Sequence, residues 1–463
     1  MFKNGAIKKT GFFWLPGQSQ EQLPGTLTIE PSGHIELEVM GLFENTTADG
    51  SVTDESQING EIKDLGYVTL EQCFYIYKPT PFAKIKHSVI VVNQAVIGAA
   101  FGKEDYFDYH SFSFSVDNLA EWVRISGLST SDLDKPHSHR IDFELPSNIE
   151  YMLSNDMKLT INFGYKIPGR TVNTASIEQT TSLKLSSEIA RPLADFKQCA
   201  YYLNNLLSFA MDTPIAMRDF VIEHNEIVTG RDEKSQRPLQ LQLVYPSTNY
   251  TDEPTKLHWQ QMLFPFSSIQ SDAEGFLNRW LHLYEIAEPA LSLFFSITRE
   301  PNVFSESKFL SLAQSLETLH RRTNSKETLM DPKAYEIFGE RILAGAPEDA
   351  KEWLESKLRF GNEPTFKKRL TCLLYPFRKI IGGSKVVKRI IYNIITSRNY
   401  YTHYDVSLED KALKGFALMN LTYTMEAICK LLYLNHIGFT ISQIENSLSY
   451  AFIQALHAER RRP

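Results

Sequence analysis

Residues 385–404 read KVVKRIIYNIITSRNYYTHY. Val386, Ile390 and Ile394 lie four apart, and so do Val387, Ile391 and Ile395. Apolar residues recurring at that interval form one stripe of an amphipathic helix. Lys385, Lys388, Arg389 and Tyr392 fall on the other side. Four residues past Ile394 the apolar row continues with Arg398, and four past Ile395 with Asn399. A guanidinium that never loses its charge therefore stands where the pattern calls for an apolar side chain. Burying such a charge without a partner costs several kcal/mol. The sequence must supply a carboxylate, a phosphate ligand or a partner subunit. His403 follows five residues later. On an ideal helix that spacing separates two side chains by about 140° and about 7.5 Å. Arg398 and His403 meet only if the helix end bends or if two chains share the site.

Around this helix the chain divides into two kinds of pattern. Beyond about residue 270 apolar residues keep helical spacing. The periodicity predicts helices over Glu274–Leu283, Pro289–Thr298, Glu306–Thr323, Pro332–Ala344, Pro347–Phe360, Phe366–Tyr375, Val386–Tyr401, Leu408–Ile437 (with a break) and Ile441–Arg460. Before it, alternating runs predict strands at Thr26–Ile29, Ile35–Val39, His87–Val92, Phe112–Val116, Ile141–Leu145, Leu159–Phe163, Phe220–Val228 and Leu239–Tyr245. Pro31-Ser32-Gly33 is a hairpin signal. Pro192–Met211 is the one helix expected in this half. The fold class is α+β multidomain: a mainly β region, sandwich or barrel, followed by an all-α bundle. The boundary falls in the loop composition of Phe264–Asp272, giving residues 1–268 and 269–463, with a further division of the first part near 165–190.

Composition narrows the function. The 463 residues are 43% hydrophobic and 22% charged, as in ordinary globular domains. Behind Lys3, Lys8 and Lys9 the apolar patch Phe12–Leu15 is too short for a signal-peptide core. No apolar run is long enough to span a bilayer. The expectation is a soluble cytoplasmic protein. Cys73, Cys199, Cys372 and Cys429 are far apart, without zinc or redox spacing, and read as buried free thiols. His137 and His139 lack the neighbours a metal site needs, so neither metal nor cofactor is expected. The net charge of −7 hides an asymmetry. Residues 1–150 carry 21 Asp/Glu against 11 Lys/Arg, whereas residues 351–400 carry 12 Lys/Arg against 3 Glu. A basic segment in an acidic protein is either a phosphate-contacting surface or a solvated helix face.

Arg-x4-His is weak as a bare spacing, since Arg218 and His224 nearly match it within a strand-like run. Its helical setting adds weight. Ser397–Asp405, SRNYYTHYD, resembles the Arg-polar-x3-His signature of HEPN ribonucleases, and in detail the ApeA-like HEPN family of bacterial anti-phage proteins. Two further stretches share the resemblance. One is LSLAQSLETLHRR (Leu310–Arg322) with Glu317, His320 and Arg321. The other is the N-terminal series GFFWLPG (Gly11–Gly17), PGTLTIE (Pro24–Glu30) and IELEVMG (Ile35–Gly41).

The resemblance implies a HEPN helical core over about 305–440 and a homodimer or higher even oligomer with facing motifs. It also implies metal-independent RNA cleavage in abortive infection and a β-rich sensor for a phage trigger. Arg398, His403 and Asn399 are then the catalytic set. In the chemistry so implied, the ribose 2′-OH attacks phosphorus and leaves a 2′,3′-cyclic phosphate and a 5′-OH. Histidine serves as base or acid near neutrality, and arginine holds phosphate oxygens in its fork. Asn399 orients the imidazole or a phosphate. Lys385, Lys388 and Arg389 are candidate RNA-backbone contacts or solvated surface. Tyr400 and Tyr401 are candidates for base stacking or for core packing. The RNA, tRNA or another, is not named by the sequence. Two rivals stand beside this reading. One is a non-catalytic HEPN dimerisation protein with a ligand-sensing β-domain. The other is a sugar or peptide site built on Trp14, Trp122 and the many Phe residues.

Overall fold

The structure is a computed structural model that describes residues 5–43, 54–79, 86–102, 108–132, 139–167, 172–229, 236–299 and 305–447. It contains two compact units, Met1–Glu274 and Gly275–Pro463.

The first unit is mainly β. Its strands are β1 (Ile7–Trp14), β2 (Leu23–Ile29), β3 (Ile35–Val39), β4 (Glu55–Ile62), β5 (Gly66–Tyr77), β6 (Ser88–Ile97), β7 (Tyr109–Val116), β8 (Leu128–Asp132), β9 (His139–Phe143), β10 (Ile149–Met152), β11 (Lys158–Lys166), β12 (Glu178–Arg191), β13 (Met217–Thr229) and β14 (Arg237–Val244). Two helices interrupt them, α1 (Leu119–Val123) and α2 (Leu193–Met211). Strands β1, β2, β3, β6, β5 and β4 close a six-stranded antiparallel barrel. Of the sandwich and the barrel that the sequence allowed, the barrel is present. Closure removes exposed edges, and alternation fills the interior. Ile35, Leu37 and Val39 of β3 point inward beside Phe13, Leu27, Ile58, Val68 and Ile90.

Strand β6 carries the sheet out of the barrel. Ser88–Val92 pairs with β3, while Ala95–Ile97 pairs with β14. From β14 the sheet runs on through β13, β7, β12, β11 and β10. Strand β12 pairs with both β11 and β7, so a division near 165–190 would cut one continuous sheet. Trp14 and Trp122 are buried, and Trp122 Nε1 donates to the Phe264 carbonyl at 3.0 Å. They serve packing, which removes the tryptophan-based sugar site. Arg218 bonds Asp117 at 2.6 Å within this sheet and is not available as a second Arg/His site.

The second unit is helical: α3 (Ala273–Arg299), α4 (Ser305–Thr323), α5 (Pro332–Ala344), α6 (Glu348–Leu358), α7 (Phe366–Leu374), α8 (Arg378–Ile381), α9 (Ser384–His403), α10 (Phe416–His436) and α11 (Ile441–Ser447). The two helical segments expected around Pro289 are present within α3, joined across a kink at Ala287, because proline cannot donate to the preceding turn. The helix expected from Leu408 begins at Phe416, after a turn. The expected continuation of the last helix to Arg460 lies outside the described residues, as does His137. Helix α4 is the centre, packing against α10, α7 and α9. Its Phe309, Leu312, Leu316 and Leu319 are fully buried with Leu370, Ile390, Ile394 and Met425. Among the described residues no helix is long and apolar enough to cross a membrane. Cys73, Cys199 and Cys429 are buried as expected, but Cys372 is exposed on α7.

The hairpin between β2 and β3 yields a paired prediction. Gly33 has φ +88°, and a Cβ there would lie 2.0 Å from the Tyr245 carbonyl oxygen. Gly17 has φ +84° with nothing within 4 Å. Gly17→Ala should cost about 1–2 kcal/mol from left-handed backbone strain alone. Gly33→Ala should cost more, because the carbonyl must also move. Denaturant unfolding of both variants checks the order, and equal losses would contradict the close approach.

Candidate active site at the end of α9

Helix α9 is positioned by its apolar side. Val387, Ile390, Ile391 and Ile394 are buried, contributing about 2 kcal/mol each. Val386 and Ile395 are only partly buried, so the stripe is narrower than the two sequence rows. The helix then ends under constraint. Tyr404 adopts φ 49° and closes it. The following segment is tied back through Leu413. Its N–H donates to Ser397 Oγ at 3.0 Å, and its carbonyl accepts from Tyr401 Oη at 2.9 Å.

Arg398 emerges where the apolar row reaches the surface, and its side chain is 35% exposed. The carboxylate that the sequence demanded is present. Glu317 of α4 places Oε2 3.5 Å from Arg398 Nη2. Nη1 donates to Asn399 Oδ1 at 3.3 Å, and the guanidinium carbon lies 5.5 Å from the centre of the Phe366 ring. A half-exposed pair of this kind contributes at most about 1 kcal/mol, far less than the apolar stripe. Asn399 lies against Arg398 through the bond of its Oδ1 with Nη1.

His403 is exposed on the last turn of the same uninterrupted helix. No bend brings it to Arg398, and no hydrogen bond joins the two among the described residues. Asp405, just past the cap, is held below its usual carboxylate range, first by Ser407 and less by the charge of His403. Lys385, Lys388 and Arg389 are exposed on the N-terminal half of α9. Lys388 lies roughly 15 Å from Arg398 along the axis. The two tyrosines separate. Tyr401 is 8% exposed with its hydroxyl engaged, which makes it a packing residue and corrects its candidacy for base stacking. Tyr400 is half-buried, with its ring 5.7 Å from Tyr404 and 5.3 Å from Lys414 Nζ.

Behind Glu317 stands a network that sequence spacing did not reveal. Arg321 binds Glu317 at 3.6 Å and Glu363 at 2.9 Å. Glu363 also holds Arg369 at 3.2 Å, and Arg369 Nη1 donates to His320 Nδ1 at 3.3 Å. His320 is fully buried, with Nε2 3.1 Å from Glu327 Oε2. Cys372 Sγ lies 3.8 Å from Glu327 Oε1. The donor atoms of His320, Glu327 and Cys372 all lie within 4.8 Å of one another, a grouping of metal-ligand type from residues distant in sequence. Two observations disfavour a metal there. Arg369 requires the lone pair of Nδ1, which leaves the proton of the neutral ring on Nε2, the atom a metal would need. Lys368 Nζ already lies 3.4 Å from Glu327 Oε1.

An arginine fork and an imidazole are thus displayed at one helix end of an all-α bundle. The comparisons give the family. Residues 8–280 match ApeA N-terminal domain 1, and residues 310–443 match Apea-like HEPN. The chain belongs to the ApeA family, a family of anti-phage HEPN nucleases. No curated protein and no solved structure matches it.

Burial, first, and then Arg369 and Lys368 lower the His320 pKa from 6.5, against Glu327, which raises it. The folded state therefore resists protonating this ring. Its contribution to stability is complete above the unfolded pKa of about 6.5 and is lost as pH falls below that value. Between pH 7.5 and 5.5 the unfolding midpoint should drop less in His320→Gln than in the wild type. A residual slope is expected from His436, whose pKa burial also lowers. Equal drops would contradict the assignment.

Proposed function

We propose that this protein is a metal-independent endoribonuclease that acts in anti-phage defence, with Arg398, His403 and Asn399 as its site. The observation that carries the reading is the display of Arg398 and His403 at the open end of α9, inside the HEPN-matching region. A guanidinium offers five N–H donors, and two of those on Arg398 are spoken for by Glu317 and Asn399. The remainder face the role of holding non-bridging phosphate oxygens as negative charge builds on phosphorus.

His403 then moves the proton. As base it takes the proton of the 2′-OH, which attacks the adjacent phosphorus. As acid it protonates the departing 5′-oxygen. The products are a 2′,3′-cyclic phosphate and a 5′-OH. One imidazole cannot face both oxygens at once, and five residues of uninterrupted helix separate His403 from Arg398 on its own chain by about 140° and about 7.5 Å. A homodimer, or a higher even oligomer, supplies two of each group to one cleft. Lys385, Lys388 and Arg389 extend the cationic track for the RNA backbone, and Tyr400 offers a ring for a base. The substrate is RNA, with tRNA a candidate, and the setting is the bacterial cytoplasm. Residues 1–268 act as the sensor of a phage-derived trigger, and residues 269–463, with a core over about 305–440, carry the nuclease. Firing on infection produces abortive infection.

One observation favours a second reading. Glu317 already pairs with Arg398, as in a structural ion pair, so the helices could serve dimerisation alone while the β-unit senses a ligand. The test is RNA cleavage in the presence of EDTA by the purified full-length chain supplied with lysate of phage-infected cells as the source of the trigger. Cleavage should persist with 5′-OH ends, fall by at least about 100-fold in His403→Ala, and leave the unfolding midpoint unchanged. Cleavage by the wild type no greater than that by His403→Ala would favour the second reading.

A further inference from the structure

The functional reading assigns no role to Glu317, although the geometry gives it one. Its two carboxylate oxygens face two arginines: Oε2 faces Arg398 Nη2 at 3.5 Å and Oε1 faces Arg321 Nη2 at 3.6 Å. The carboxylate is itself held in place. Arg321 is anchored to Glu363 at 2.9 Å, Glu363 to the buried Arg369 at 3.2 Å, and Arg369 to the fully buried His320 at 3.3 Å. Alternating charges thus run from the interior of the α4–α7 contact to the surface at Arg398. A carboxylate so braced is a fixed point. A long arginine side chain otherwise has several rotatable bonds to freeze before it can present its fork in one direction.

Resting on the nuclease reading, we infer that Glu317 is a positioning residue for Arg398, aiming the guanidinium at the phosphate while leaving its other N–H groups open. This role differs from a merely structural one and from a merely electrostatic one. A carboxylate beside a phosphate site repels RNA, so deleting it tightens binding on charge grounds alone. Deleting a purely structural pair weakens binding and stability together. A positioning role has a third signature: slower cleavage in spite of equal or tighter binding, because transition-state contacts depend on orientation.

The experiment uses the full-length chain expressed in bacteria under phage challenge. The readout is the count of His403-dependent RNA 5′-OH ends. The affinity of the purified protein for a single-stranded RNA oligonucleotide and its unfolding midpoint are measured alongside. Glu317→Ala should lower the end count about 10- to 100-fold with affinity unchanged or tighter and the midpoint retained. Glu317→Gln, which keeps a hydrogen-bond acceptor, should recover part of the loss. In an Arg398→Lys background Glu317→Ala should add little, since it acts through that arginine. Undiminished ends in Glu317→Ala, a full additional loss in the Arg398→Lys background, or a loss that follows the midpoint would overturn the inference. If wild type yields no His403-dependent ends, the nuclease reading itself fails, a result separate from any behaviour of Glu317.

Discussion

A permanent charge at the end of an apolar helical row is the constraint around which the second unit is arranged. Helix α9 is seated by Val387, Ile390, Ile391 and Ile394, and that burial outweighs any single ion pair by several kcal/mol. The register of the row then decides where Arg398 goes: onto the line of the core, one turn beyond its last isoleucine. The charge is acceptable there only because α4 brings Glu317 to meet it and because the row has reached solvent. Moving the arginine one residue either way would turn the fork by about 100° around the helix, away from α4.

The same constraint explains the asymmetry of the site. The arginine side is braced from within, through Glu317, Arg321, Glu363 and Arg369. The histidine side is not. His403 stands on the last turn, exposed, where the tie of Leu413 to Ser397 and Tyr401 and the Asp405 cap on Ser407 fix the backbone beside it. On the proposed function, a braced guanidinium next to a solvent-facing imidazole suits a centre completed from outside the single chain, by substrate or by a second copy. The two side chains differ in their surroundings: Arg398 is paired with Glu317, while His403 faces solvent.

Much of this was legible in the sequence because period and punctuation were strong. The amphipathic run of α9, the proline that kinks α3 and the Pro31-Ser32-Gly33 hairpin each state their structure locally. Arg398 announced the need for a carboxylate, though not which one. The misses have physical causes. Strand β5 carries a left-handed residue, Gln72 at φ 54°, which breaks its alternation, and β4 has Gly60 among its buried positions. Strand β12 has mostly polar, partly buried residues over half its length, so it read as a division between domains, not as a strand shared by two neighbours. Barrel closure depends on β6 pairing with both β3 and β5, a relation between distant segments that no local pattern encodes. The network behind Arg398 was hidden for the same reason. Its members come from α4, α7 and the loop between helices, and only packing brings Glu327 and Cys372 to His320.

On the proposed function, the end of α9 cuts RNA when the cell is infected. The most direct measurement compares wild type with His403→Ala in bacteria challenged with a phage panel, sequencing RNA 5′-OH ends after infection. The account predicts new ends and protection with the wild type alone. Protection by both proteins, without new ends in either, would contradict it and leave α9 as an interaction surface.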